Sequence, residues 1–356
     1  MKNIDKTKPV LVTGATGYIA GWLVKKLLEE GITVHAAVRN PDKKEKLKHL
    51  DEIAANAPGE IKYFKADLLT EGAYAEAMKD CELVFHTASP FALEVKNPQK
   101  DLIEPALLGT RNVLTEATKT PSVKRVVVTS SCAAIYSDAN EIENIPNNEF
   151  TEEIWNTTAS EDYQPYSYSK TLAEREAWKI ADGQEQWDLV VINPSMVLGP
   201  ALNTDVNMSE SVSLIKQLGD GTLKMGAPNL GIGAVDVRDV ALAHFKAGYT
   251  PNAHGRHITS AHNTSFLEIA QILNKNFGDK YPIPNKAVPK WLLMVVGPMV
   301  NKALTRKFIR NNINYEWKAN NSKIKKELSL EFRPFETTLV ETFKDLEEHH
   351  IISPKK

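Results

Sequence analysis

A tyrosine and a lysine stand four residues apart in the segment 163–170, which reads YQPYSYSK. Residues with this spacing lie on one face of a helix, so the segment predicts that Tyr166 and Lys170 lie side by side. A tyrosine phenol has a pKa of about 10 and is a poor acid or base at neutral pH. A neighbouring ammonium group favours the phenolate and lowers that pKa. The pair therefore indicates acid–base chemistry, with Tyr166 carrying the proton and Lys170 tuning it.

The elements that must position this pair alternate between strands and helices. Short runs rich in β-branched residues predict strands at 9–14, 33–38, 61–66, 81–88, 123–130 and 188–193. Apolar residues at three- and four-residue spacing predict helices within 17–30, 42–57 and 97–118. Apolar strands that alternate with helices predict a doubly wound α/β fold with a parallel sheet, whose ligands bind beyond the carboxyl ends of the strands.

Two glycines mark the turn that follows the first predicted strand, in the segment VLVTGATGYIAG. Gly14 permits a tight turn, and Gly17 lets the backbone approach a pyrophosphate at the start of the next helix, where free N–H groups favour anions. The spacing G-x-x-G-x-x-A matches the dinucleotide-binding fingerprint only in part, and a turn that merely connects two elements is the alternative. Its place after the first strand favours a dinucleotide site. The residues expected to contact the dinucleotide here are Gly14, Thr16, Gly17, Tyr18 and Ile19.

The end of the second predicted strand indicates which dinucleotide binds. An acidic residue there would hydrogen-bond the ribose 2′-hydroxyl of NAD, but the segment AAVRNPDKKEK carries Arg39 at that position. A guanidinium group suits the 2′-phosphate of NADP, and Lys46 adds a second positive charge nearby. Asp67 and Leu68 follow the third strand and are expected near the adenine, with a turn-capping role for Asp67 as the close alternative. The sequence therefore predicts NADPH as the cofactor.

The alternation of strands and helices loosens after residue 194. One amphipathic helix returns over 235–247, and the tail 261–356 mixes helices with loops. We therefore expect a Rossmann domain formed by 1–194 and 231–260. A smaller C-terminal α/β substrate lobe, formed by 195–230 and 261–356, is expected to cover the open end of the sheet.

Ser130 and Ser131 end the fifth predicted strand, at the sheet edge where a ligand would lie. A hydroxyl there can donate a hydrogen bond to the oxyanion that develops when a carbonyl group is reduced. As hydride reached the carbonyl carbon, Tyr166 would protonate the oxygen. The spacing of Tyr166 and Lys170 is a weak signal alone, but it becomes strong in combination with the glycine turn, Arg39 and these serines.

The chain contains, in this order, the motifs TGATGYIAG, VFHTASPF, GTRNVL, VTSSCAAIY, YSYSK and NPSMVLGP, and the likeness that they carry extends over nearly the whole chain. Together they resemble the extended short-chain dehydrogenase/reductase family, in particular its NADPH-dependent dihydroflavonol reductases, cinnamoyl-CoA reductases and microbial aldehyde or methylglyoxal reductases. The resemblance implies that Ser131, Tyr166 and Lys170 are the catalytic residues, and that Tyr166 and Lys170 also touch the cofactor. It implies further cofactor contacts from Thr87, Ala88, Thr129, Pro194, Ser195, Met196 and Val197.

Departures from these relatives narrow the expected substrate to a small aldehyde or ketone. The segment QPYSYSK lacks the asparagine–tryptophan–tyrosine lead of cinnamoyl-CoA reductases, which argues against a CoA thioester. The segment CAAIY lacks the asparagine with which dihydroflavonol reductases hold a flavonoid, whereas HTASPF is similar to the microbial aldehyde reductases. Phe91, Tyr136 and Tyr168 are expected to line a fairly apolar pocket, and core packing is an equal alternative for each.

Composition argues against several other classes of function. The formal charge of −2 gives no basic field for nucleic acid. Cys81 and Cys132 are too few for a disulfide framework and suit a reducing cytoplasm. The first residues lack the apolar core of a signal peptide, and the most apolar stretch, 291–300, is too short to span a membrane. No His, Cys or acidic spacing predicts a metal site. We therefore expect a cytoplasmic protein without nucleic-acid, membrane or metal partners.

The sequence predicts an NADPH-dependent reductase of aldehydes and ketones to alcohols, and two rivals remain. An NAD-dependent sugar-nucleotide epimerase or dehydratase shares the fold and the Tyr–Lys pair, but Arg39 argues against it. A non-catalytic NADP(H)-sensing regulator shares the fold, but such a protein can dispense with the pair. Helices within 97–118 and 164–182 would suit a homodimer interface, although a monomer fits equally well.

Overall fold

The computed structural model of the chain describes residues 2–89, 96–203, 209–301 and 303–355. Its strands, in chain order, are β1 (Val10–Thr13), β2 (Val34–Val38), β3 (Ile61–Lys65), β4 (Leu83–His86), β5 (Arg125–Thr129), β6 (Asp188–Pro194), β7 (Met196–Leu198), β8 (Gly231–Asp236), β9 (Gly255–Thr259) and β10 (His262–Ser265). Its α-helices are α1 (Tyr18–Glu29), α2 (Lys48–Ala55), α3 (Ala75–Met78), α4 (Glu104–Lys119), α5 (Pro165–Asp182), α6 (Glu210–Gly219), α7 (Val237–Tyr249), α8 (Phe266–Phe277), α9 (Lys290–Val300), α10 (Arg306–Asn312), α11 (Ser322–Leu328) and α12 (Phe335–Glu348).

Seven strands form one sheet in the order β3-β2-β1-β4-β5-β6-β9, and every neighbouring pair is parallel. The chain runs outward from β1 to β3 and then crosses back to start β4 on the other side of β1. Ligands of such sheets bind in the crevice where the order reverses, here between β1 and β4. The predicted doubly wound Rossmann fold is confirmed.

Helices cover both faces of this sheet, which is why its inner strands are mostly apolar. On one face Leu27 of α1 packs in the same core as Ala243 of α7. On the other face Val113 of α4 and Ala177 of α5 share a second core. The catalytic tyrosine and lysine predicted from the sequence are therefore carried by α5, one of the helices that close the second face.

A smaller sheet joins β7, β8 and β10 in the order β10-β8-β7. A third apolar core packs it against α6, α8 and α12 through residues such as Ile215, Ile269 and Phe343. The segment 231–260, assigned from the sequence to the Rossmann domain, contributes to both sheets. Its strand β8 pairs within the small sheet, whereas β9 pairs with β6 in the large one. The division of the chain into two domains stays a prediction.

Two of the predicted helices begin with irregular turns. In 42–57 a 3₁₀ turn, Lys44–Lys46, precedes α2. In 97–118 a π-helical turn, Gln99–Ile103, precedes α4. Pro105 lies in the first turn of α4 and has no N–H to donate to the carbonyl four residues before it, so the regular hydrogen-bond ladder cannot run through this point.

Candidate active site

The helix that carries the predicted catalytic pair begins abruptly. Gln164 precedes α5 in a left-handed conformation, with φ of 54°, and Pro165 is the first helical residue. Proline suits that position because the N–H it lacks would have no partner there. Tyr166 and Lys170 follow one turn apart, and the Lys170 ammonium nitrogen lies 5.8 Å from the centre of the Tyr166 ring. The structure thus brings the two side chains together on one face of α5.

Ser131 reaches the same place from the loop after β5. Its hydroxyl group hydrogen-bonds the Tyr166 phenol, and its Oγ accepts the backbone N–H of Ala133 at 3.1 Å. Because that bond occupies a lone pair of Oγ, the hydroxyl proton is available to the phenol or to a substrate oxygen. The neighbouring Ser130 instead donates its hydroxyl proton to Glu174, at 2.5 Å. The two serines therefore have different surroundings, and Ser131 is the one beside the tyrosine.

Burial sets the protonation of this pair. It raises the pKa of Tyr166 to about 12, and the hydrogen bond from Ser131 opposes the rise. It lowers the pKa of Lys170 to about 8, and the Glu174 carboxylate opposes the fall. At neutral pH Tyr166 therefore keeps its proton and Lys170 keeps its charge. The Lys170 ammonium group also donates a hydrogen bond of 3.0 Å to the Ser89 hydroxyl.

A buried group of polar side chains stands behind the pair, and the sequence analysis missed it. Glu174, one turn after Lys170, accepts hydrogen bonds from Arg256 Nε at 2.5 Å and from Asn193 Nδ2 at 2.8 Å. Glu174 is 1% exposed and Arg256 is 6% exposed, so this ion pair is closed off from water. The available signal was the repeated four-residue spacing, which continues from Tyr166 through Lys170 to Glu174.

The glycine turn after β1 forms the other end of the site. Gly14 has φ of +63°, and a Cβ there would lie 3.0 Å from the Ala88 Cβ, so only glycine fits easily. Thr13 Oγ1 accepts the backbone N–H groups of Thr87 and Ala88 at 3.1 and 3.0 Å, which ties the ends of β1 and β4 together at the crevice. Gly17 caps α1 without a side-chain acceptor, and the first turn of α1 holds no acidic residue. The N–H groups of that turn are therefore suited to an anion.

One cavity of about 830 Å³ joins the glycine turn to the tyrosine. Of the residues singled out from the sequence, it is lined by Gly14, Gly17, Tyr18, Ile19, Thr87, Thr129, Ser131, Tyr136, Tyr166, Lys170, Pro194, Ser195, Met196 and Val197. These residues come from the carboxyl ends of several strands and from the starts of α1 and α5. Most of the predicted site thus lies in a single cleft at the edge of the sheet where ligands of this fold bind.

The other predicted cofactor residues lie outside this lining. Arg39 follows β2, Lys46 lies on the 3₁₀ turn before α2, and both side chains are exposed. The Asp67 carboxylate accepts the backbone N–H of Leu69 at 2.9 Å, which is the turn-capping role given above as the alternative. Half-buried residues at the same edge of the sheet are Thr16, Leu68 and Ala88. The cofactor contacts of these residues stay predictions.

The three aromatic residues expected at the substrate pocket differ in their placement. Tyr136 lines the cavity and also packs against Phe150, with the two ring centres 4.7 Å apart. It therefore serves as both pocket wall and core. Tyr168 is half-buried on α5 and is not one of the described residues that line this cavity. Phe91 lies outside the described residues.

Two other reactive side chains near the cavity are held in neutral forms. The Cys132 thiol donates to the Asn193 carbonyl at 3.2 Å, and burial raises its pKa well above the usual range. His86 Nδ1 lies 3.0 Å from Thr13 Oγ1, and burial, followed by the charge of Lys170, lowers its pKa to about 3. A protonated thiol is a weak nucleophile. In the described part of the chain, no group of three His, Cys, Asp or Glu residues is placed to hold a metal ion.

Comparison with known proteins gives this arrangement a family. Residues 10–259 match the NAD dependent epimerase/dehydratase family. The chain belongs to this family. Cinnamoyl-CoA reductase CAD2 of Medicago truncatula is 38% identical over 95% of each chain. Cinnamoyl-CoA reductase 1 of Petunia hybrida is 40% identical over 95% of this chain and 92% of its own. The crystal structure of yeast methylglyoxal/isovaleraldehyde reductase Gre2 complexed with NADPH is 29% identical, with a TM-score of 0.77 over 97% of this chain and 100% of that one. The expected membership of the extended short-chain dehydrogenase/reductases is confirmed.

Proposed function

We propose that the protein is an NADPH-dependent reductase of aldehydes and ketones. The observation that carries this proposal is the meeting of Ser131, Tyr166 and Lys170 in a cavity whose other end is the start of α1. A proton donor and an anion-binding helix terminus in one cavity are what carbonyl reduction by a dinucleotide requires. The family relatives support the proposal because they too are named as reductases.

The described residues fit NADPH. The uncapped start of α1 at Gly17 suits the pyrophosphate, since its N–H groups lack a side-chain acceptor. Lys170 would hold the nicotinamide ribose, and residues 194–197 would pack on the nicotinamide ring. Arg39 and Lys46 would hold the 2′-phosphate from the exposed edge of the site. When bound, NADPH supplies the hydride.

The protein's own groups supply the proton. Tyr166 keeps its proton at neutral pH because burial holds its pKa high, and it donates that proton to the carbonyl oxygen. Ser131 donates a hydrogen bond to the same oxygen and orients it. The Lys170 ammonium group, 5.8 Å from the centre of the Tyr166 ring, would stabilise the phenolate that remains. Since Lys170 must be charged, and its pKa is about 8, reduction is expected to slow as the pH rises through that value.

The lining of the cavity favours a small, uncharged substrate. Among the described residues of the lining, Lys170 is the one charged side chain. An uncharged aldehyde or ketone suits this lining, since its carbonyl oxygen needs only the hydrogen bonds that Ser131 and Tyr166 can donate. Tyr136 and Ile232 supply apolar surface for its carbon chain.

The family match leaves an NAD-dependent sugar-nucleotide epimerase or dehydratase as the second candidate. Such an enzyme returns the hydride to its substrate and holds NAD tightly. Arg39 stands where an NAD-binding enzyme places an acidic residue, which favours the reductase. Denaturing the purified protein and assaying the released dinucleotide separates the two, since an equimolar amount of NAD would support the epimerase. The homodimer and the cytoplasmic location stay predictions.

Initial rates of NADPH and NADH oxidation with a small 1,2-dicarbonyl compound test the proposal. We expect turnover with NADPH and much slower turnover with NADH. Equal rates with both cofactors would contradict the role of Arg39 and Lys46 in selecting NADPH but would leave the proposed reaction intact. The proposed reaction would be contradicted if neither NADPH nor NADH were oxidised with any of a panel of small aldehydes, ketones and dicarbonyls.

A further inference from the structure

Among the described residues, most of the large apolar side chains that are exposed to solvent lie on or beside α9. Seven such side chains are exposed, and five of them form what we call the α9 patch. The patch consists of Met225, Trp291, Val295, Val296 and Met299, which are 87%, 70%, 59%, 40% and 83% exposed. Exposed apolar side chains are ordinary when scattered singly, but a cluster of this kind marks an interaction site.

The patch occupies one side of α9. Trp291, Val295 and Met299 follow one another at four-residue spacing and therefore share a face of the helix. Gly297 is buried on another side, where a Cβ would lie 3.0 Å from the Ile309 side chain of α10. The helix thus already packs against α10 through its inner side, and the patch is the side that faces outward.

The loop that carries Met225 lies beside the start of α9. Ala227 forms a β-bridge with Ala287, and a Cβ on Gly226 would lie 2.8 Å from the Val288 side chain. Met225 therefore adds an exposed apolar side chain on a loop beside the start of the helix. The patch is a surface built from two segments rather than a stripe along a single helix.

The segment that surrounds the patch is positively charged. Residues 282–315 contain six lysines and arginines and no acidic residue. Because the whole chain carries −2, the remainder carries −8 (−2 less +6). Arg306, Lys307 and Arg310 are exposed on α10, the helix packed against α9. Asp138, which accepts a hydrogen bond from Asn311 of α10 at 2.8 Å, is buried, whereas Glu143 is exposed on the 3₁₀ turn 139–144 that packs against α10 and offsets part of this charge.

We propose that the α9 patch docks on the surface of an anionic lipid bilayer. An exposed apolar helix face with lysine and arginine on neighbouring segments is typical of helices that lie in the bilayer interface, where the apolar groups enter the headgroup region and the cations bind anionic lipids. Trp291 suits this boundary because its indole ring is apolar but carries one N–H donor. The acidic remainder of the chain is repelled by the same surface, so the charge distribution turns the α9 end toward the bilayer.

The helix can lie on a bilayer but cannot cross it. With 11 residues, at about 1.5 Å each, α9 is about 16 Å long, and the hydrocarbon core of a bilayer is about 30 Å thick. Throughout the described ranges, no helix is both long and apolar enough to span a membrane. The sequence predicts no membrane partner because the apolar stretch 291–300 is too short to span a bilayer. The length of a stretch does not test whether it binds at the bilayer surface.

Vesicle flotation tests this proposal independently of the proposed reductase activity. The purified full chain is mixed with phosphatidylcholine vesicles, with or without phosphatidylserine, at low and at high salt. We expect the protein to float only with phosphatidylserine, and less at high salt because the charges are screened. The double variants Trp291→Ser with Met299→Ser, and Arg306→Gln with Arg310→Gln, should each lose about tenfold or more of this binding. Leu108→Ser, which removes an exposed apolar side chain on α4, is the matched control and should bind as the unaltered protein does.

Melting temperatures measured in parallel show whether each variant is folded. Absence of flotation with phosphatidylserine vesicles would overturn the proposal. It would also be overturned if the protein floated equally well with phosphatidylcholine vesicles alone and the variant Arg306→Gln with Arg310→Gln floated just as well. Sedimentation of the protein without vesicles measures its oligomeric state and so tests whether a second copy of the chain covers the patch instead. A dimer that dissociates in Trp291→Ser with Met299→Ser would assign the patch to a second copy of the chain and would also overturn the proposal.

Discussion

The proposed catalytic wall (Ser131, Tyr166 and Lys170) and the proposed cofactor rim (Arg39 and Lys46) differ in how the fold holds them. In the wall, Ser131 hydrogen-bonds Tyr166 and the Lys170 ammonium nitrogen lies 5.8 Å from the centre of the Tyr166 ring, and burial shifts the pKa values of the tyrosine and the lysine. The two cations of the rim are exposed on the segment after β2. A buried group depends on its neighbours for its protonation, whereas an exposed cation acts through its own charge. Changes to the wall should therefore alter rate and pH dependence, and changes to the rim should alter which dinucleotide is preferred.

The largest effect is expected from Tyr166→Phe, which removes the proposed proton donor of the wall. Turnover should fall by about 10² to 10⁴-fold, the usual contribution of general acid–base catalysis. The affinity for NADPH should change little, since the phenol acts on the substrate oxygen. Steady-state rates with a small aldehyde and NADPH titration by fluorescence measure the two quantities. Retained turnover would remove Tyr166 from the reaction.

At the rim, Arg39→Ala should lower the preference for NADPH over NADH by about 10- to 100-fold, the loss expected for hydrogen bonds to a charged phosphate. The rate with NADH should stay the same or rise, because no buried group of the wall is disturbed. The ratio of kcat/KM for the two cofactors is the measurement. An unchanged ratio would show that Arg39 does not select the cofactor.

Glu174→Gln removes the carboxylate that supports the charge of Lys170 and leaves Arg256 buried without its partner. The pKa of Lys170 should fall further, so the alkaline limb of the pH profile of kcat/KM should move to lower pH. Losing one member of a buried ion pair should also cost about 3–5 kcal/mol of folding free energy, seen as a lower melting temperature.

Glu176→Gln is the matched control for this change, since Glu176 lies on the same helix but pairs with Arg111, which is half exposed. It should leave the pH profile in place. A Glu174→Gln profile that coincides with that of the unaltered protein would limit Glu174 to a structural role.

The smallest effect should come from Lys46→Ala, because an exposed ion pair contributes only about 0–1 kcal/mol. The KM for NADPH should rise by a few-fold at low salt, and the difference should shrink at high salt as the charges are screened. Lys44→Ala, on the same 3₁₀ turn, is the control. If the two variants behaved alike, Lys46 would contribute only general surface charge.

The sequence predicts the features of the fold and of the wall that are set by residues close together along the chain. The strands follow from runs of β-branched residues, and the pairing of Tyr166 with Lys170 follows from the period of the helix. The ion pair of Glu174 with Arg256 could not be predicted, because its members are 82 residues apart. They meet only because β9 pairs with β6 at the end of the sheet.

The α9 patch was out of reach of sequence analysis for a similar reason. A stretch as apolar as 291–300 is ordinarily a sign of burial, and its side chains carry no mark of which face is covered. That is decided by the packing of α10 against the side that holds Gly297. Burial along this helix is thus a property of the tertiary arrangement rather than of local composition.

The transfer of deuterium from NADPH that is fully deuterated at nicotinamide C4 to a small aldehyde tests the central claim most directly. The account predicts one deuterium at the carbinol carbon of the alcohol for each NADPH consumed, and formation of this product about 10²- to 10⁴-fold more slowly by Tyr166→Phe. An alcohol without deuterium at that carbon, or a substrate epimerised with no net consumption of NADPH, would contradict it.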